Sequence, residues 1–206
     1  MNKFHIQLVT IVLFMSCSPP TTDEILLEEF DNNTMGWAQE STDSHHTEFI
    51  DGKLLILSLD TVASMSSNGP EDNSFMWTLP ENFEFSTSIE LIDGGTEAKF
   101  GFSLYSASLL YDFSISKSGL INVYERDYNR ESVLDLIEIQ LNEFTLDYNT
   151  PLIFRLVVNG TNFQFFVDES KVGEGVFKAK SWETLRPYAN AGGTGIKVDY
   201  YRFKAI

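Results

Sequence analysis

Residues 100–116 read FGFSLYSASLLYDFSIS, and the alternation in this stretch predicts a pair of β-strands. Successive strand side chains point to opposite sides, so Phe100, Phe102 and Leu104 share one face while Gly101, Ser103 and Tyr105 share the other. After a turn near Ser106-Ala107-Ser108, the apolar set resumes as Tyr111, Phe113 and Ile115, opposite Leu110, Asp112, Ser114 and Ser116. The apolar face keeps its identity across a hairpin. The next segment, LINVYER, continues the pattern with Ile121 and Val123 inward and Asn122, Tyr124 and Arg126 on the polar side. Upstream, FEFSTSIEL sets Phe83, Phe85, Thr87, Ile89 and Leu91 against Glu84, Ser86, Ser88 and Glu90. The expectation is four successive strands with one core face and one polar face.

The same period of two runs through the chain from Glu28 onward, in segments of five to ten residues separated by turn residues. Turns are marked by Asp51-Gly52, Asn68-Gly69-Pro70, Asp93-Gly94-Gly95, Ser118-Gly119, Asp127-Tyr128-Asn129, Asn159-Gly160 and Gly192-Gly193. Asn159-Gly160 lies between LIFRLVV and TNFQFFV, where a type I′ hairpin turn is predicted. About a dozen strands at this spacing, without a long helical stretch, predict an all-β fold: a two-sheet antiparallel β-sandwich. The 206 residues suffice for one domain with a sizeable core.

The polar face of these strands differs from an ordinary solvated one. Small serines leave room for a groove, Tyr105 and Tyr124 offer flat stacking surfaces, and Asp112, Asn122 and Arg126 can fix hydroxyl groups by hydrogen bonds. Carbohydrate recognition needs that combination. Tyr105, Asp112, Asn122, Tyr124 and Arg126 are therefore the candidate ligand-binding residues, and the competing reading is a face that is covered or simply wet.

The leader MNKFHIQLVTIVLFMSCSPP has one lysine, Lys3, then an apolar run from Ile6 to Met15 that is too short to span a bilayer. Cys17, the one cysteine of the chain, sits where this run ends, with Ser16 before it and Ser-Pro-Pro after it. That arrangement resembles the lipobox of bacterial lipoproteins, although Phe14 and Met15 depart from its tightest form. The resemblance implies a signal peptide at residues 1–16, a lipidated Cys17 with a flexible tether over 17–25, and a domain at 26–206. It also implies attachment to the bacterial cell envelope, at the outer membrane or cell surface, with the membrane contacted through the lipid alone. Removing residues 1–16 takes away only Lys3 from 14 basic residues against 30 acidic ones, so the mature charge is 13 minus 30, or −17. Nucleic acid is an unsuitable partner for such a chain.

The ends of the domain carry a further resemblance. Phe30-Asp31 with Gly36-Trp37, the central Phe100-Gly101-Phe102, Asn159-Gly160 followed by Phe165-Phe166-Val167-Asp168, and the exit Val198-Asp199-Tyr200 occur in the order found in concanavalin A-like jelly rolls. The resemblance spans nearly all of residues 26–206. It implies a fold shared with laminin G-like and carbohydrate-binding modules, with family 16 endoglucanases and with 3-keto-disaccharide hydrolases. The E-x-D-x-x-E strand of the endoglucanases is missing, and Glu97-Ala98-Lys99 stands where the hydrolases usually show N-S-G.

Three functional readings follow. The first is a non-catalytic, lipid-anchored protein that binds glycan or another extracellular polymer. The second is a glycoside-active hydrolase of the 3-keto-disaccharide type, with Glu90 or Asp112 as acid or base. The third is a structural or protein-interaction domain without a sugar ligand. No cofactor is expected beyond a structural calcium ion, for which Asp31 and Asp199 are the candidates should the terminal strands pair. His45 and His46 read as loop residues unsuited to a shared metal, since neighbours on a strand would face opposite ways. Trp37, Trp77 and Trp182 read as packing residues, with Trp182, near a loop, the first to test as a sugar platform.

Overall fold

The structure, a computed structural model, describes residues 24–33, 35–59, 66–67, 79–141, 146–179, 181–190 and 192–206. The leader, Cys17, Asn68-Gly69-Pro70 and Trp77 lie outside the described residues. Among the described residues there are fifteen strands: β1 (Glu24–Glu28), β2 (Glu40–Ser41), β3 (His45–Ile50), β4 (Lys53–Ser58), β5 (Ser66–Ser67), β6 (Asn82–Asp93), β7 (Lys99–Ser106), β8 (Leu109–Ser116), β9 (Leu120–Asp127), β10 (Ser132–Gln140), β11 (Pro151–Asn159), β12 (Asn162–Val167), β13 (Ser170–Val176), β14 (Thr184–Ala189) and β15 (Gly195–Ala205).

They form two antiparallel sheets. One has nine strands in the order β13-β12-β11-β6-β15-β4-β3-β2, with β1 also paired to β15; the other has six, β10-β9-β8-β7-β14-β5. The inward residues read from the sequence are buried in both: Phe83, Phe85, Ile89 and Leu91 from β6, and Phe100, Phe102, Leu104, Tyr111, Phe113, Ile115, Ile121 and Val123 from β7 to β9. Rings from opposite sheets interlock. Phe102 stacks on Phe113 at 4.8 Å and meets Phe85 of the facing sheet edge-on at 5.0 Å; Phe113 meets Phe165 edge-on at 5.2 Å.

One expectation changes. The β6 segment does not continue the sheet of β7–β9 but lies in the centre of the opposite one, between β11 and β15. Its polar residues Glu84, Ser86, Ser88 and Glu90 therefore face outward on the other side of the molecule. Period two fixes which side of a strand is buried, and two sheets that bury their inner sides in one core look alike by that measure.

The hairpins show a second difference. Asn159 pairs with Asn162, leaving Gly160-Thr161 as the loop, and of the two only Gly160 has positive φ, as in a type II′ turn. The turn with positive φ at both central residues, the type I′ pattern, is Asp51-Gly52 between β3 and β4. His45 and His46 belong to strand β3 rather than to a loop.

The entry loop after β1 is organised by a buried acid. The Glu28 carboxylate accepts hydrogen bonds from the Phe30 and Met35 amides, 2.9 Å each, which turns the chain so that Phe30 and Trp37 point into the core. There Trp37 and Phe85 meet Tyr201 of β15 edge-on at 5.2 and 5.3 Å.

Candidate functional site

The pairing registers lay out the outer face of the six-stranded sheet as rows. The middle row crosses five strands as Arg186, Ser103, Asp112, Tyr124 and Asp135. On one side of it lie Thr184, Tyr105, Leu110, Arg126 and Val133; on the other lie Tyr188, Gly101, Ser114, Asn122 and Glu138. All five residues singled out from sequence, Tyr105, Asp112, Asn122, Tyr124 and Arg126, thus fall on this one face. Strand β14 adds Thr184, Arg186 and Tyr188, which sequence reading missed. Its alternation, Leu185, Pro187 and Ala189 inward, is visible in TLRPYA, but a mid-strand proline argues against a sheet interior. Among the described residues, β5, on the far side of β14, pairs with Tyr188 and Ala189 and not with Pro187.

The floor of this face is closed. Ser103 and Asp112 have no exposed surface, and Ser114 and Tyr188 have 1% and 2%. Tyr105, Tyr124, Arg126 and Arg186 are half-buried and form the surface that a ligand would meet. Asp112 is held from several sides: the Ser103 hydroxyl donates to its Oδ1, Tyr124 hydrogen-bonds to its carboxyl, and the charge of Arg126 is nearby. Burial outweighs these and pushes the Asp112 pKa up. The hydroxyls of Tyr124 and Tyr188 are likewise driven upward, first by burial and then by the neighbouring charge of Asp112. At the rim, Lys99 Nζ donates to Asn122 Oδ1 at 3.2 Å, and the Arg186 guanidinium lies 5.2 Å from the Tyr105 ring centre.

The two carboxylates considered for catalysis are far apart in the fold. Asp112 is on this face, whereas Glu90 is on the outer face of the nine-stranded sheet, beside Lys53 at 3.4 Å. On β7, β8 and β9, Asp112 is the one carboxylate that the candidate face carries.

Elsewhere, Asp31 and Asp199 do come to one open pocket, which Glu29, Asp31, Asp51, Gly52, Asp199 and Tyr200 line. Asp199 reaches it from a bulge in β15 between Val198 and Tyr200. Among the described residues no three His, Cys, Asp or Glu side chains are grouped to hold a metal ion. His45 and His46 meet different partners, Glu40 at 2.6 Å and Glu48 at 3.5 Å. Trp182 is buried against Tyr111 and Phe177, and Trp37 against Phe30 and Tyr201, as packing residues.

No family model and no curated protein matches the chain. Solved structures do. The endo-β-1,3-glucanase from Pyrococcus furiosus is similar with a TM-score of 0.66 at 12% identity, covering 88% of this chain and 94% of that one. The carbohydrate-binding module CBM66 from Bacillus subtilis has a TM-score of 0.52 at 14% identity, covering 84% and 98%. The xyloglucan PUL GH43B of Bacteroides ovatus has a TM-score of 0.60 at 13% identity; the match covers 87% of this chain but only 39% of that one. The fold is a concanavalin A-like β-sandwich. At these identities the likeness extends to the fold alone.

Proposed function

We propose that the outer face of the six-stranded sheet binds a carbohydrate chain, and that the protein is a non-catalytic binding domain held at a bacterial envelope membrane by a lipid on Cys17. The observation that carries the reading is the row Arg186–Ser103–Asp112–Tyr124, flanked by Tyr105, Asn122 and Arg126. Two half-buried tyrosines supply apolar ring surface, and guanidinium and amide groups beside them supply directed hydrogen bonds. Glycoside hydrolysis ordinarily uses two carboxylates flanking the bond to be cleaved. Asp112 has no second carboxylate beside it on β7–β9, and Glu90 stands on the opposite side of the sandwich.

Affinity electrophoresis against a panel of polysaccharides tests the binding. Retardation by at least one polymer is expected, with Tyr124→Ala abolishing it while the melt stays cooperative. No retardation across a broad panel by a folded protein would sink the proposal. The closed floor of the face favours a second reading, a structural or protein-interaction domain, which that same silence would support. Anchoring is tested separately: Cys17→Ala should abolish fatty-acid labelling and release the protein from membranes.

A further inference from the structure

The chain has 30 acidic residues against 14 basic ones, and among the described residues several of its cations lie beside acids. Lys53 pairs with Glu90, Arg155 with Glu84, Lys171 with Glu174 and Lys178 with Glu125. The cations of the candidate face are not paired in this way. Among the described residues, Lys99, Arg126 and Arg186 on that face enter no ion pair within bonding distance. Lys99 meets the neutral amide of Asn122, Arg186 meets the ring of Tyr105, and the buried Nε of both arginines has no hydrogen-bond partner. Asp112 is the single acid that this face carries on β7, β8 and β9, and burial favours its neutral form. Asp135 and Glu138 lie further out, on the edge strand β10.

We propose that this face is an anion-reading surface and that its ligand is an acidic polysaccharide, one bearing carboxylate or sulfate groups along its length. The inference rests on the carbohydrate reading and narrows it. Spacing distinguishes a polymer from a small anion. Arg186 on β14 and Arg126 on β9 are three strand intervals apart, roughly 14 Å at about 4.8 Å each. Lys99 lies four residues along β7 from the middle row, roughly 13 Å. With their backbones that far apart the cations are spread over the face, a layout that matches charges repeated along a chain. Half-buried guanidiniums with unused N–H groups form short bidentate hydrogen bonds to carboxylate or sulfate oxygens. The edge acids Asp135 and Glu138 repel such a chain and confine it to β14, β7, β8 and β9. With a net charge of −17 on the mature protein, the overall field repels polyanions, so non-specific attraction is no explanation for binding.

The test is affinity electrophoresis of the purified protein in gels containing polygalacturonate, alginate or chondroitin sulfate, with methyl-esterified polygalacturonate and laminarin as neutral counterparts. Retardation by one or more acidic polymers, with no retardation by the methyl ester, is expected. R186Q and R126Q should each weaken it by about tenfold or more. K171Q, which alters a cation on β13 of the other sheet, should leave it unchanged. Melting curves show that each variant is folded. Binding of the neutral polymers in preference to the acidic ones overturns this inference and leaves the carbohydrate reading standing. Acidic retardation insensitive to both arginine substitutions also overturns it. Silence with every polymer removes both.

Discussion

A carboxyl group without exposed surface must be stabilised by its neighbours or keep its proton, and Asp112 has Ser103, Tyr124 and Arg126 set against the cost of burial. Burial prevails, so its folded-state pKa lies above the ordinary value near 3.8. For a carboxyl shifted upward, the stabilising contribution is fully present below the unfolded pKa and is lost as pH rises through the folded one. The variant D112N keeps an acceptor for Ser103 and carries no charge at any pH. Its melting temperature relative to the parent should therefore climb as pH rises from the ordinary carboxyl value towards neutrality. A difference that stays flat over that range would show that Asp112 ionises as an ordinary surface aspartate. The two faces of the same strands should also fail differently. Phe102→Ala and Phe113→Ala, each opening a hole in the interlocked ring cluster, should each cost about 3–5 kcal/mol. Tyr124→Ala removes a half-buried ring and a hydrogen bond to Asp112, for about 1–2 kcal/mol. Denaturant melts of the three variants check the order, and a larger loss at Tyr124 would mean that the strand faces are assigned the wrong way round.

Between β7 and β8 the backbones approach so closely at Gly101 that a Cβ there would lie 2.0 Å from the carbonyl oxygen of Phe113. Backbone atoms cannot swing aside as a side chain can, so Gly101→Ala must push the two strands apart and disturb Ser103, Asp112 and Ser114 beside it. It should lower the melting temperature sharply, whereas Gly95→Ala, with nothing within 4 Å of the added methyl, should change it little. Equal melting temperatures for the two variants would contradict the strand spacing. Elements were legible in the sequence wherever alternation was strong: the inward sets of β6 to β9 and the hairpin between β11 and β12 followed from period two and turn residues. What alternation did not carry was membership of a sheet. The Phe83 and Phe102 strands share a pattern because they face one another across the core, and only pairing over long sequence distances separates them. For the candidate face, the five chosen residues were readable because β7, β8 and β9 are consecutive. Arg186 and Tyr188 arrive from a strand some sixty residues downstream of β9, on either side of a proline, and no local signal links them to Asp112. The closure of the floor was likewise unreadable, because depth depends on side chains brought from several strands.

At the scale of the molecule, the order of synthesis and the order of the sheet conflict. Strand β15 comes last in the chain, yet it occupies the middle of the nine-stranded sheet, pairing with β6 along one edge and with β4 and β1 along the other. Until residues 195–206 are available, β6 and β11 to β13 form one fragment of that sheet and β2 to β4 another, with no strand to pair them, and β1 has no partner strand. The strand also supplies Ile196, Val198, Tyr201 and Phe203 to the core, and Tyr201 is the ring on which Phe30, Trp37 and Phe85 meet. Its loss removes both a central ladder and four buried side chains, a deficit far larger than the roughly 5–15 kcal/mol by which a domain is stable. A chain ending at residue 194 should therefore show no cooperative melt and should expose apolar surface to a dye such as ANS. Deleting β13 is not possible without breaking the chain, but its outer-edge position offers the matching control: K171Q, on that edge strand, should melt within about 0.5 kcal/mol of the parent. A cooperative melt from the chain lacking β15 would mean that the two halves of the sheet hold together by other contacts, and the central place of the last strand would have to be given up.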